Sequence, residues 1–371
     1  MKTPKWRNTH PDFKLNGIHY EFNELPEVGY SLIKEGVPFE QEIGDFIVDW
    51  CLEQPYCIVN TSGSTGTPKE IRLAKEHMVN SALATGDFFQ LESKNRSLLC
   101  LPCSGIAGKM MLVRAFVLGL ELDYVQPSSS PLELSDKIYD FVAMVPLQVE
   151  KSVHKLDKIT KLIIGGAPVS KELKMKLQPS KTMAFETYGM TETVTHIAAK
   201  PLNNPANNLL GLIENQNWFM VLPKVNISQD ERNCLVIDAP SISTQAITTN
   251  DIVELKSESQ FKWNGRYDLI INSGGIKLIP ERIERKLASV IHKRFFVAGV
   301  QDETLGQKLI LVVEGVANEQ QTLTEKITAF QELDRYEVPK AILFCTQFVE
   351  TATGKVDRKA TIAHLDETNS K

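Results

Sequence analysis

Thr61 to Lys69 reads TSGSTGTPK and directly follows an apolar segment, YCIVN. The loop joins hydroxyl side chains, two glycines with free backbone N–H groups and one lysine. Such a loop can wrap phosphate oxygens. Glycine permits close backbone approach, serine and threonine add donors, and lysine adds a point charge. It is not a Walker loop: the G-x-x-x-x-G-K-[ST] spacing fails, and the strand-like EIRLA follows where a helix should begin. The alternative is a surface hairpin.

Further groups recur along the chain. Lys161 to Pro168 reads KLIIGGAP, Tyr188 to Thr193 reads YGMTET, and Thr249-Asn250-Asp251 forms a short polar turn. Arg266 and Asp268 lie in NGRYDLIINSGG, which ends on Gly274-Gly275, and Thr351 to Ala360 reads TATGKVDRKA. Taken singly, each has a plain reading as a turn residue, an ion pair or a solvated charge. Taken in order, they resemble the acyl-adenylate-forming (AMP-binding) superfamily of acyl-CoA synthetases, luciferases and adenylation domains. The matches run from Thr61 to Arg358.

The resemblance implies roles. Thr61, Ser62, Gly63, Ser64, Thr65, Gly66 and Lys69 would hold the phosphates of ATP. Gly165, Gly166 and Ala167 would border adenine and the acyl pocket, and Tyr188, with Gly189 beside it, would pack on adenine. Thr191 would contact the α-phosphate and Glu192 would help hold Mg²⁺. An aromatic face suits a base, and a carboxylate beside phosphates suits a hard cation. Asp251 and Arg266 would reach the ribose. Asparagine replaces the family's glycine at position 250, a mild change because asparagine tolerates a left-handed turn. Asp268 matches the hinge, Gly274 and Gly275 the thiol tunnel, and Lys355 the catalytic lysine. The expected reaction is ATP-dependent formation of an acyl-adenylate, then transfer to the thiol of coenzyme A.

The acid is read from Leu101 to Gly108, LPCSGIAG, and from the helix-like GKMMLVRAF. Relatives often carry a histidine where this chain has Gly105, which suggests extra space. Arg114 falls where o-succinylbenzoate–CoA ligases of menaquinone synthesis carry an arginine, and Lys109 is a second candidate. A cation there would pair with the carboxylate that such an acid keeps after activation. The Phe-Asp-x-Ser pattern that binds α-amino groups is not found between Leu98 and Gly119. The runner-up is another aryl- or acyl-CoA ligase. A non-catalytic nucleotide-binding protein is the alternative of a different class.

These residues need a scaffold. Apolar runs YCIVN, SLLCLP, ELDYVQP, FVAMVP, KLIIGG, MAFETYG and CLVIDAP alternate with the helical patterns KEHMVNSALATGDFFQL and GKMMLVRAFVLGL. Unbroken apolar runs suit strands buried on both faces, and the alternation predicts an α/β layered domain. Phe39 to Glu53 reads as a helix with Ile43, Phe46, Ile47 and Trp50 on one face. Beyond Asn264-Gly265-Arg266 the pattern changes to a compact α+β unit. The expected division is an AMP-binding domain over residues 1–267, with a short N-terminal segment, and a small mobile α+β domain over 268–371. NNPANNLLGLIENQN reads as a loop and TATGKVDRKA as part of a polar tail.

With 371 residues, 42% hydrophobic and 23% charged, the composition is that of a globular chain. A net charge of −5 argues against nucleic acid or an anionic membrane as partner. The expected partners are a small carboxylic acid, ATP and CoA, with homo-oligomer formation left open. No secretory leader or apolar run near twenty residues is found, so no membrane insertion and a cytoplasmic location are expected. Six cysteines are too sparse for a disulfide scaffold. Cys100-Leu-Pro-Cys103 has C-x-x-C spacing, but it closes a strand instead of opening a helix, which argues against redox chemistry.

Overall fold

The fold is seen in a computed structural model, which describes residues 5–60, 70–203, 217–317, 320–350 and 356–369. The phosphate-loop candidate, Lys355 and most of NNPANNLLGLIENQN lie outside the described residues. After a 3₁₀ turn (Lys5–Arg7) and the paired strands Lys14–Leu15 and Ile18–His19, two helices, α1 (Leu25–Glu35) and α2 (Pro38–Cys51), pack as an antiparallel pair. Pro38 occupies the first turn of α2, where its missing N–H costs nothing. Ile43, Phe46, Ile47 and Trp50 are all buried, as their spacing requires. Glycines let the two helices approach: a Cβ on Gly44 would stand 2.5 Å from Gly29 O.

Strands Tyr56–Asn60 and Glu70–Ala74 pair antiparallel, with Asn60 opposite Glu70. YCIVN is therefore not a strand buried on both faces: Cys57 and Val59 point inward and Ile58 outward, in a two-stranded ribbon apart from the main sheet. Helix α3 (Lys75–Phe89) follows directly. Its first residue, Lys75, is wholly buried and caps α2, donating to Asp49 O, Trp50 O and Leu52 O at 2.9 Å each. Its ammonium also lies 4.5 Å from the Trp6 ring centroid.

The main sheet has thirteen described strands. Its parallel half runs Lys14–Leu15, Glu121–Tyr124, Arg96–Leu99, Tyr139–Met144, Ile159–Ile164 and Met183–Gly189 in spatial order. Helices α4 (Ile106–Leu118), α5 (Pro146–Ser152) and α6 (Lys171–Leu177) lie in the connections. Successive side chains of these strands feed two cores. Leu99, Phe141, Ala143 and Ile163 face the core of α2, α3 and α4, while Leu98, Val142, Met144 and Leu162 face that of α5 and α6. Burial on both sides explains the apolar runs. The other half, beginning at His196–Pro201, is antiparallel.

A separate five-stranded sheet contains Ile271–Ser273, Ile276–Leu278, Phe295–Asp302, Gly306–Glu314 and Ala341–Cys345. Helices α7 (Pro280–Leu287) and α8 (Gln320–Thr328) cover one face and α9 (Arg358–Asn369) the other. The fold is thus a large α/β unit with a smaller α+β unit. The end of the TATGKVDRKA motif is not a polar tail but the start of α9. Arg358 anchors it, reaching both Glu284 oxygens (2.8 and 3.0 Å) and Val297 O (3.2 Å).

Candidate active site

In open α/β sheets ligands sit outside the C-terminal strand ends, where the order of strands changes. Here that edge carries the loops after Arg96–Leu99, Ile159–Ile164 and Met183–Gly189. The last of these borders the seam between the parallel and antiparallel halves. Thr187 Oγ1 donates to Ile164 O at 3.1 Å, so the Gly165-Gly166-Ala167 loop and Tyr188 end adjacent strands.

Tyr188, Asp251 and Arg266 are brought together from three strands. Strands Ile247–Ser257 and Gln260–Arg266 put Asp251 opposite Arg266. The Tyr188 hydroxyl donates to Asp251 Oδ2 at 2.7 Å, and the Trp263 indole N–H to Asp251 Oδ1 at 2.9 Å. An Arg266 guanidinium nitrogen lies 3.9 Å from Asp251 Oδ1. Thr249-Asn250-Asp251 is therefore not a turn but part of strand Ile247–Ser257, and the Asp251 N–H donates to Thr249 Oγ1 at 3.0 Å, which braces the backbone that carries the carboxylate. A carboxylate can accept about four hydrogen bonds, which leaves acceptor capacity. Burial and then the Asp251 charge push the Tyr188 phenol far above its usual range, so it remains a donor. Its ring stands edge-on to Phe261 at 5.1 Å.

Arg266 also forms a two-point bond to Asp268, at 2.9 and 3.2 Å. Burial alone would raise the Asp268 carboxyl, but hydrogen bonding and charge from Arg266 override it and hold it below its usual range. The hinge candidate is therefore tied directly to the ribose candidate. Gly274 (φ +59°) and Gly275 (φ +82°) form the two-residue turn between Ser273 and Ile276, a left-handed conformation that needs residues without a Cβ.

The YGMTET motif ends in a short 3₁₀ turn, Thr191–Thr193, packed beside strand Glu70–Ala74. Glu192 is exposed on it and Thr191 half-buried. The next residue, Val194, has φ 66° and ψ −58°, and Thr195 N donates to Thr193 O at 2.7 Å. That is a γ-turn of the rarer, strained hand, costing about 1–3 kcal/mol. The Thr193 hydroxyl pins it by accepting from Met190 N at 3.0 Å while lying 2.7 Å from Thr195 O. Among the described residues no group of three or more His, Cys, Asp or Glu could hold a metal. Glu192 alone still suits magnesium, which typically takes one or two carboxylates plus substrate phosphates.

The acid-pocket candidates do not converge. Lys109 lies over the Phe46 ring, on the α2 side of α4. Arg114 is fully buried on another face. One of its nitrogens reaches Met111 Sδ at 3.5 Å, and another reaches Thr195 Oγ1 at 3.3 Å and His196 Nδ1 at 3.5 Å. Its Nε has no partner, and no carboxylate pairs with it among the described residues. Burial pulls its pKa down to about 10, so it is a cation at neutral pH. Gly105, at the start of α4, faces open space: a Cβ there would meet only Pro102 O, at 3.7 Å.

Cys100 and Cys103 are both buried, and burial pushes each thiol up to about 12, out of thiolate range. Trp263, Thr195 and His196 are site neighbours that motif reading misses. Trp263 had one available signal, an aromatic residue three places before Arg266 in a polar strand.

Tyr188, Asp251 and Arg266 thus gather where the sheet changes direction, the place at which open α/β sheets bind ligands. The chain belongs to the AMP-binding enzyme family, whose profile matches residues 31–217. It is 36% identical to an acyl-CoA synthetase (AMP-forming)/AMP-acid ligase II-like protein from Dyadobacter fermentans, over 92% of this chain and 98% of that one, with a TM-score of 0.59. It is 26% identical to 2-succinylbenzoate–CoA ligase from Listeria monocytogenes, over 92% of this chain and 74% of that protein. The fold is also that of o-succinylbenzoate coenzyme A synthetase from Bacillus subtilis, solved with ATP and a magnesium ion. There the TM-score is 0.68, the identity 18%, and the coverage 91% of this chain and 81% of that one. No described helix is long and apolar enough to cross a membrane.

Proposed function

We propose that this chain is an ATP-dependent acid–thiol ligase that forms an acyl-adenylate and then a CoA thioester, with o-succinylbenzoate as the acid. The observation that carries the choice of acid is Arg114, a buried cation with no anionic partner among the described residues. A buried charge without a partner is strongly unfavourable, and an acid with a second carboxylate would supply the missing one. The 2-succinylbenzoate–CoA ligases among the relatives support the same reading.

Asp251, aimed by Thr249, Tyr188 and Trp263, would accept from the ribose hydroxyls, with Arg266 alongside. Thr61 to Lys69 would wrap the phosphates, and Thr191 would meet the α-phosphate. Glu192 would hold a magnesium ion arriving on ATP, which adds positive charge where two anions must meet. Lys355 would stabilise charge during adenylation. The division at residues 267 and 268 would let the small unit turn about Asp268, withdrawing Lys355 and presenting Gly274-Gly275 to the thiol. Lys355→Ala should then slow adenylation by about 10²–10³. Thioester formation from pre-made acyl-adenylate should largely survive, and an equal loss in both half-reactions would refute the two-state scheme.

The test of the acid is pyrophosphate release with ATP, CoA and a panel of acids. o-Succinylbenzoate should be preferred. Activity with benzoate or fatty acids but not o-succinylbenzoate would overturn the choice. The open space at Gly105 favours, as a second reading, an aryl- or acyl-CoA ligase for a bulkier acid.

A further inference from the structure

His196 has no task in the reaction as proposed. It begins strand His196–Pro201, four residues past Glu192, and its backbone pairs with Gly189. The ring is buried between α3 and α4. Nδ1 lies 3.5 Å from an Arg114 nitrogen and 3.4 Å from Thr195 Oγ1. Nε2 is buried and, among the described residues, has no hydrogen-bond partner, and the same holds for Arg114 Nε. Two contacting side chains on different elements thus each hold an unpartnered nitrogen. Scaffold packing alone gives no reason to set an imidazole against a guanidinium, because neither can satisfy the other fully. The half-buried Thr195 forms the more accessible edge of the trio.

We propose that His196 and Arg114 form one seat for the acid's second carboxylate, and that His196 takes up a proton from solvent when the seat is filled. The proposal rests on the acid-activating reading above and deepens it: the seat recognises a carboxylate together with a proton, not charge alone. Arg114 is the charged group facing the ring. Phe89 and Ser81 of α3, Gly189 of the neighbouring strand, and Leu222 and Ile242 across the adjoining cleft carry no titratable group. Burial, and then the charge of Arg114, hold the imidazole well below its usual range, so the unfilled seat carries a neutral ring. A carboxylate against Arg114 cancels that field and offers an acceptor to a protonated ring. No bond of the acid breaks in this step. The proton enters from the buffer and leaves with the acid.

The test combines calorimetry with kinetics on the full chain. o-Succinylbenzoate and further diacids are each compared with monoacid counterparts in which one carboxylate is replaced by hydrogen. Titration in buffers of different ionisation enthalpy should give uptake of about one proton per diacid bound at neutral pH, and none for the monoacid lacking the retained carboxylate. KM for the diacid should rise with pH. His196→Gln keeps an amide donor but cannot be protonated. It should abolish proton uptake, flatten the pH profile and cut the diacid-over-monoacid preference in kcat/KM about tenfold. His196→Leu should do the same, and melting curves of both variants establish that they fold. If wild type activates o-succinylbenzoate but His196→Gln keeps its proton uptake and preference, the seat is refuted and the substrate reading stands. If wild type prefers another diacid in a His196-dependent way, the seat stands and o-succinylbenzoate falls. Activation of monoacids alone would overturn both.

Discussion

Lys75 and Arg114 are the two most deeply buried cations among the described residues, and their surroundings are opposite. Lys75 has three donors, and all three reach carbonyls at the end of α2, with indole rings at its sides. Arg114 has five N–H donors, and they find a thioether, a hydroxyl and an imidazole, with one nitrogen left over. Both are expensive to bury. Lys75 is compensated within the scaffold. Among the described residues no carboxylate compensates Arg114, as the proposed seat for the acid's second carboxylate requires. Burial therefore does not separate scaffold from site in this protein; completeness of the hydrogen bonding does.

The comparison breaks first at Lys75. Lys75→Met keeps much of the apolar stem but leaves three carbonyls without their donor, so stability to urea should fall by about 3 kcal/mol. The folded fraction should keep its activity. An unchanged midpoint would mean that the ammonium adds nothing to the scaffold. Arg114→Met should behave in reverse. Diacid kcat/KM should fall about 100-fold, or about 2.7 kcal/mol, through loss of a charge partner. Stability should hold or rise by about 1–4 kcal/mol, since an uncompensated charge has been replaced by an apolar chain. If Arg114→Met unfolds the protein as Lys75→Met does, Arg114 belongs to the scaffold and the distinction fails.

The role of Lys75 could not be read from the sequence, and that of Arg114 was expected only through resemblance to a family. Lys75 looks like the first residue of an ordinary helix, and its partners lie 23 to 26 residues earlier on another element. Arg114 is visible as a cation in an apolar helix, but its lack of partners exists only once α4 is packed. Helix α2 and the parallel strands were legible because their apolar spacing reports burial directly. YCIVN misled because a two-stranded ribbon with one inward face uses the same residue types as a strand buried twice, and Ile58 does not announce that it points out. Tyr188 and Asp251 lie 63 residues apart; resemblance to a family gave each a place near the nucleotide, but not the bond between them. Trp263 was missed because its contact with Asp251 depends on strand register, and His196 because it lies just beyond the recognisable motif.

The smallest effect should come from Asp251, which sits between the two extremes: a buried anion with partners but with acceptor capacity to spare. Tyr188→Phe keeps the ring against Phe219 and Phe261 and removes one donor. Trp263 and Arg266 still face the carboxylate. One charge-assisted hydrogen bond contributes about 1.5–3 kcal/mol when its loss leaves an orphan, but here the ribose or water can take the vacant lone pair, so about 1 kcal/mol should remain. If Tyr188 serves the nucleotide, that loss should appear as a rise of about fivefold in KM for ATP, with kcat and stability little changed. If stability falls instead while KM holds, the Tyr188–Asp251 pair fastens the scaffold as Lys75 does. A carboxylate whose hydrogen bonds are already complete would then not serve as the ribose acceptor.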